Sequence, residues 1–346
     1  MCGGSEMRCA ELSNAISSYT PHQSFLLAEK KIPERIESYI NSSVTIIKNI
    51  FSPESPKIDI LYEMDVILII NTDSKSFCTA DYWLGKSERH AIEVDLRKIK
   101  KMVFLFNFLI SPSRHLYTIE RYCKDVRIIT TNSKFFEEVS SQDRYELVRH
   151  LPRTILQSPI NPHLYDQKKT ESDIIRLGMH SKGADGKWNK EWPKLIEKCK
   201  KRLGDRINFD FMGMNSNRAK EVTKIDKETI IRKENEISVR EYLNNIDIFV
   251  FFIDWKREEP WARCSAEASM SGCPIITTNS KGGNREQVIP GNNGFLCKST
   301  DDFFKHIVFF AENPDKIKQM SRNSLLLAKN FTSEKVIKRF LEFIED

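Results

Sequence analysis

Several familiar catalytic signatures are absent from this sequence of 346 residues. It has no G-x-x-x-x-G-K-[ST] loop to cradle ATP phosphates, no G-x-G-x-x-G turn for a dinucleotide and no H-E-x-x-H pair for zinc. No D-x-D pair leaves a strand to hold a divalent ion: Glu63-Met64-Asp65 leads into one, and Asp73 stands alone in NTDSK. Neither a metal nor a cofactor is therefore expected. Eight cysteines occur without a single C-x-x-C, so they read as small buried apolar residues in a reducing cytosol. Long hydrophobic runs are missing too. The longest, MVFLFNFLI (102–110), has nine residues, one of them Asn107, and is too short to span a bilayer. A signal peptide is not expected, and the N-x-[ST] triplets at Asn41 and Asn330 are then chance matches. Strong charge of one sign is also lacking. The net +6 suits an anionic small ligand or an acidic membrane surface, and is too weak and too spread out for nucleic acid.

What is present is a soluble globular composition, 40% hydrophobic and 29% charged, long enough for two domains. Strand-like runs alternate with helical patterns. The first set is SFLLAEK, DVILIIN, KMVFLFNFL, VRIITTN and RTILQSPI; the second is DIIRLGMHS, NFDFMGM, DIFVFFID, CPIITTN and NGFLC. Many are solid Val, Ile, Leu and Phe, as parallel strands covered on both faces require. Segments such as NKEWPKLIEKCKKRL and SVREYLNNI carry apolar residues at helical spacing. This alternation implies an α/β protein with doubly wound parallel sheets. About ten strands are too many for one Rossmann unit. We therefore expect two Rossmann-like domains facing a cleft, residues 1–160 and 173–330. A Pro-bearing linker over 161–172 joins them, and a final helix spans 331–346. Ligands of such sheets bind at the carboxyl ends of the strands.

Both ends of the sequence carry signals. Gly3-Gly4 ahead of a helical pattern looks like the turn after a first strand, its helix aimed at an anion, yet only Met1 and Cys2 precede it. Either the first strand is missing from this sequence or the glycines are a flexible terminus; the missing strand is the favoured expectation. At the other end, TSEKVIKRFLEFIED places Val336, Ile337, Phe340, Leu341 and Ile344 on one face. An amphipathic helix closing the fold is expected, and a helix lying on the inner face of the membrane is the alternative.

Residues 254–278, DWKREEPWARCSAEASMSGCPIITT, pose a chemical question. Small residues mark a tightly packed helix from about Ala262 to Gly272, yet it keeps Glu267, while Glu259 stands in the loop at a strand's carboxyl end. A buried carboxylate without a partner costs several kcal/mol. A ribose diol or sugar hydroxyls would supply donors. The alternative is that Glu259 is solvated beside Lys256 and Arg257, while Glu267 pairs with Arg263.

The stretch E-P-W-A-R-C-S-A-E (259–267), followed by A-S-M-S-G-C-P-I-I-T-T, resembles the E-x7-E segment of family-4 retaining glycosyltransferases with the GT-B fold. NSKGGNREQVIPGNNGFLC (279–297) is similar to that family's G-x-x-E-x-V-x-x-G-x-N-G-x-L run. GGSEMRCAELSNAI resembles its GG-x-E helix, and QSPINPHLYD stands where the family shows P-N-G-V-D. The resemblance implies that Glu267 binds the nucleotide ribose and that Glu259 lies beside the donor sugar.

IIRLGMHSKGADGKWNKEW (174–192) resembles a basic loop with which the family holds the donor diphosphate, here carrying His180, Lys182 and Lys187. Breaking a glycosyl–phosphate bond leaves extra negative charge on that diphosphate. A helix N-terminus offers about 0.3–1 kcal/mol at an exposed site, whereas one fixed charge at ~4 Å in a moderately dry cleft offers up to about 4 kcal/mol before desolvation. The lysines must then do most of the neutralising. His180 either touches the diphosphate or caps the strand end. Gly282, Gly283 and Asn284 present N–H groups to the donor as a nest does, or form an ordinary turn. Gly3 and Gly4 would face the same diphosphate from the other domain. Where many relatives place a histidine in the N-terminal domain, this sequence offers Asn107 or His115, each of which also has a plain structural explanation.

The resemblance thus implies a retaining transferase, working without metal on a nucleotide-diphosphate sugar. The acceptor would be a glycan, a lipid-linked or other hydroxyl compound, as in polysaccharide biosynthesis. Two rivals remain: an epimerase of the same fold acting on a nucleotide sugar, and a catalytically inactive binding protein.

Overall fold

The computed structural model describes residues 4–28, 32, 34–48, 59–70, 95–106, 119–165, 174–184, 186–280 and 282–346. The chain divides into two compact units. One comprises the residues up to Pro159 together with Ser333–Asp346; the other is Ile160–Thr332.

In the first unit, β1 (Phe25–Ala28) and β2 (Thr45–Lys48) form a parallel pair. A separate parallel sheet has the order β3 (Ile67–Ile70), β4 (Met102–Phe106), β5 (Val126–Thr130) and β6 (Arg153–Ile155). β4 and β5 are buried throughout; β4 reads as an unbroken apolar run, whereas β5 also carries Arg127, which pairs with Asp125 at 2.9 Å. Alternate residues serve opposite faces. Phe104 and Ile128 pack with Leu61, Ile119, Val139 and Tyr145. Val103, Leu105 and Ile129 pack with Leu12 and Ala15 of the helix Gly4–Tyr19, and with Val336, Ile337 and Phe340 of the helix Ser333–Glu345. The closing helix thus spends its apolar face on the first unit's sheet. Gly4 begins the first helix, while Gly3, Asn107 and His115 lie outside the described residues. Among the described residues, no helix is long and apolar enough to cross a membrane.

The second unit carries β7 (Ile175–His180), β8 (Ile207–Met212), β9 (Ile230–Arg232), β10 (Ile248–Phe251), β11 (Ile275–Thr278) and β12 (Gly294–Cys297). All pair in parallel, in the order β12-β11-β10-β7-β8-β9. Read from its other edge, this is the doubly wound order 3-2-1-4-5-6, with its reversal between β7 and β10. The ladder there is short: Ile248 pairs with Leu177 and Phe249 with Gly178, and it stops before His180. Gly178 lets the helix Val239–Asn244 settle on this part of the sheet. A Cβ on it would lie 2.4 Å from Ile246 Cδ1 and 2.6 Å from Tyr242 Oη. Two strands, β2 and β9, are additional to those read from the sequence.

Candidate functional site

The reversal of strand order leaves a crevice at the carboxyl ends of β7 and β10, because their crossover helices run to opposite sides. His180 ends β7, and the loop after β10 carries Glu259. The two loops are tied at their roots. Asn189 donates its backbone N–H to Phe252 O at 3.1 Å and its amide Nδ2 to Ile253 O at 2.8 Å. Asp254 N donates to Gly186 O at 3.0 Å, where Gly186 takes a φ of 74°. Trp188 Nε1 donates to Lys182 O at 3.0 Å and closes the loop on itself. Ile253 N donates to Thr278 Oγ1 at 3.2 Å, tying in the end of β11.

These ties place Lys187 against Glu259. Lys187 Nζ lies 2.5 Å from Glu259 Oε2, and Arg257 Nε approaches the same oxygen at 3.4 Å. Glu259 is only 7% exposed, so the solvated alternative does not hold; the carboxylate is buried and compensated. Lys182, the other expected cation, is half-buried and makes no ion pair among the described residues.

Glu267 sits within the helix Arg263–Met270 and is likewise 7% exposed. Arg263 Nε donates to its Oε1 at 2.8 Å, one turn back, and Oε2 lies 3.5 Å from His180 Nε2. The sequence allowed an Arg263 partner, and the structure has it, with one carboxylate oxygen left toward the crevice end of β7. The small residues explain how such a helix packs. Ala266 and Met270 face Ala328, Phe331, Ile160 and Trp261. Gly272, at φ 71°, ends the helix as its position in the sequence suggests.

His180 is 3% exposed, between the rings of Tyr242 at 5.7 Å and Phe249 at 5.5 Å. Neither of its ring nitrogens has a hydrogen-bond partner among the described residues. Burial, and then the Arg263 guanidinium, push its pKa down to about 3. The ring is therefore neutral near pH 7, and its contact with Glu267 is not an ion pair. Cys264 lies close to Lys187, Glu259 and Glu267, and burial pushes its thiol up to about 12, which disfavours the thiolate.

Gly282, Gly283 and Asn284 join the site by supporting it. A Cβ on Gly282 would lie 2.1 Å from Glu259 O, and one on Gly283 2.1 Å from Pro260 O. Gly283 N donates to those two carbonyls, at 3.0 and 3.1 Å, so that N–H is engaged within the protein. The Asn284 amide donates to Thr278 O at 2.6 Å and accepts from Ser280 Oγ at 3.0 Å. Both glycines let the loop after β11 lie directly on the Glu259–Pro260 backbone. Of the expected residues, the second unit brings Glu259, Lys187, Glu267 and His180 together. Asn189 was not read from the sequence, although an Asn two residues before Glu191, whose N–H its side chain accepts at 2.9 Å, is a recognisable turn-forming signal. No group of three or more His, Cys, Asp or Glu that could hold a metal occurs among the described residues.

Comparison with known proteins finds likenesses of sequence and of fold. Residues 186–326 match the family model for glycosyl transferases group 1. No curated protein matches the chain. Among solved structures, HepE of Anabaena in complex with UDP-glucose is 14% identical, with 100% of this chain and 96% of that one covered and a TM-score of 0.70. A glycosyltransferase from Rickettsia africae is 13% identical, with 99% and 94% covered and a TM-score of 0.73. The pneumococcal O-GlcNAc transferase GtfA, in complex with UDP and GlcNAc, is 14% identical over 72% of this chain and 53% of that one, with a TM-score of 0.57. At these identities the likeness is one of fold.

Proposed function

We propose that this chain, a glycosyltransferase of the GT-B fold with its group 1 segment in residues 186–326, transfers a sugar from a nucleotide-diphosphate donor with retention of configuration. The observation that carries the reading is the meeting of two buried carboxylates with Lys187, Arg257 and His180 where the strand order reverses. A uridine diphosphate sugar is the first donor to try, since HepE and GtfA are both described with UDP. Glu267, held by Arg263 through one oxygen, accepts from the ribose hydroxyls with the other. Glu259 lies beside the donor sugar. Lys187, with Lys182 and Arg257, takes the diphosphate.

The glycosyl carbon–oxygen bond breaks, and its electron pair leaves with the diphosphate. The acceptor hydroxyl attacks from the same face and gives its proton to the departing phosphate oxygen. Cations fixed beside the leaving group lower the barrier because they need no reorganisation as charge develops. No metal is required for this step. The acceptor is a hydroxyl of a glycan or lipid-linked sugar.

A panel of nucleotide sugars is screened for protection of the full chain against thermal unfolding, and repeated with Glu267→Ala. A donor that stabilises both proteins equally would remove Glu267 from the ribose. Incubation of the best donor without acceptor then separates transfer from epimerisation. An isomerised sugar in place of slow release of free nucleotide would overturn the transferase reading.

A further inference from the structure

Four residues back along β7 from His180, about 13 Å at strand rise, the same face of the sheet holds a second feature. A cavity of about 290 Å³ is lined by Arg176, Asn208, Asp210, Ile230, Arg232 and Asn245, with the Phe209 backbone. Its volume lies at the lower end of the range for small-molecule sites, about 300–1,000 Å³. The strand pairing explains the grouping. Arg176 is opposite Asn208 and Asp210 is opposite Ile230.

The polar groups here are unequally satisfied. Asp210 is 5% exposed and is gripped by Arg232 through two bonds, Nε to Oδ1 at 3.0 Å and Nη2 to Oδ2 at 2.8 Å. Arg176 acts on the same carboxylate only from longer range. Its backbone N–H donates to Asp247 Oδ2 at 2.8 Å, but its guanidinium has no carboxylate within ion-pairing distance among the described residues. Asn208 uses its Oδ1 to accept from Phe209 N at 2.8 Å, and its NH₂ group meets no acceptor among the described residues. The Asn245 side chain makes no hydrogen bond among the described residues. The cavity is therefore rich in unused donors, while its one carboxylate is taken.

We infer that this cavity is a second binding site, separate from the donor crevice, for a small molecule bearing a carboxylate or phosphate group. The anion meets the Arg176 guanidinium through parallel N–H donors, a geometry suited to either oxyanion. The Asn208 and Asn245 amides supply further donors, and Ile230 covers an apolar part of the ligand.

The test uses calorimetric titration of the full chain, free of nucleotide, with inorganic phosphate and with succinate in separate arms. Saturable binding of either anion is expected below about 10 mM. The arm that binds tells phosphate from carboxylate. Arg176→Gln weakens that binding at least about tenfold, the scale of one charge-assisted contact. Arg176→Lys retains part of it, and Lys187→Gln leaves it intact. Two results overturn the inference: neither anion binds wild type, or the binding survives Arg176→Gln and is lost in Lys187→Gln. The second would place the anion in the donor crevice. Circular dichroism of Arg176→Gln checks that the half-buried side chain was not needed for folding.

Discussion

Lys187 Nζ lies 2.5 Å from Glu259 Oε2, a side-chain ion pair that joins the loop after β7 to the loop after β10 beyond the hydrogen bonds at their roots. The two residues are 72 positions apart in the chain. On the proposed reading, Lys187 has two anionic partners in turn: Glu259 before the donor arrives, and the diphosphate afterwards. Arg257, at 3.4 Å, remains beside Glu259 when the lysine turns and faces the diphosphate with its other guanidinium nitrogens on this reading.

Lys187→Gln should therefore act mainly on turnover. Loss of one preorganised charge at a leaving group costs about a hundredfold or more in kcat. Stability should fall by about 1–3 kcal/mol, because a largely buried carboxylate loses its nearest cation. Steady-state kinetics and urea unfolding of the variant, beside Glu259→Gln and the double variant, measure both effects and their coupling. Additive effects on stability would show that the pair contributes nothing.

Arg263→Gln is expected to separate binding from chemistry. It frees Glu267 Oε1 and lets the carboxylate swing, so donor affinity falls about tenfold while kcat changes less. A competition assay with the unreactive nucleotide diphosphate reads the affinity directly. An unchanged affinity would remove Arg263 from the role of holding Glu267.

Chelation provides a further check on the cationic site. Turnover should be unchanged by excess EDTA, and magnesium should not raise it. A strict requirement for a divalent ion would mean that Lys187 and Arg257 do not carry the leaving-group charge alone.

The neutral ring of His180 makes stability depend on pH. Its folded pKa is about 3, against 6.5 for an unperturbed ring. Between those values the unfolded chain binds the extra proton, so stability is fully present above about pH 6.5 and declines as pH falls toward 3. The contribution is of the order of 5 kcal/mol at its limit. Urea midpoints of wild type and His180→Gln, compared from pH 7.5 to pH 4, isolate it. Parallel curves for the two proteins would contradict the burial argument.

Gly283→Ala tests the support beneath Glu259. The new methyl would meet a carbonyl oxygen at 2.1 Å, so backbone must move. Overpacking of this kind costs about 1–3 kcal/mol. Turnover should fall as well, because the displaced segment is the one that carries Glu259. A stable, fully active variant would show that the loop tolerates the shift.

The parts of this fold that could be read from the sequence are those with dense local signals. β4 and β10 are unbroken apolar runs because both faces of each are covered, and β5 and β11 keep an Ile-Ile core beside buried Arg127, Thr130, Thr277 and Thr278. β9 escaped because it is three residues long at a sheet edge, with Ile230 40% exposed; β2 belongs to a two-stranded pair and is half-solvated. Glu259 and Glu267 stood out through the resemblance to an E-x7-E segment, since their spacing alone fitted a solvated or Arg263-paired carboxylate equally well. Their partners were legible only where local: Arg263 is one turn away, whereas Lys187 reaches Glu259 across the strand reversal. No local pattern distinguishes a histidine buried at a strand end from one in a polar loop, so the isolation of the His180 ring became visible only in three dimensions. The paired glycines after β11 had two readings in the sequence. The close approach of the Glu259–Pro260 backbone accounts for both of them.

The return of Ser333–Asp346 to the first unit has a practical consequence for anyone dissecting this protein. A fragment cut at Pro159 would keep β3 to β6 but strip Val103, Leu105 and Ile129 of the cover given by Val336, Ile337 and Phe340. Such a piece should aggregate on expression, and supplying the last fourteen residues, fused or as a separate peptide, should rescue it. The two units are interleaved along the chain, so a tag or deletion after Ser333 is felt by the unit that ends at Pro159.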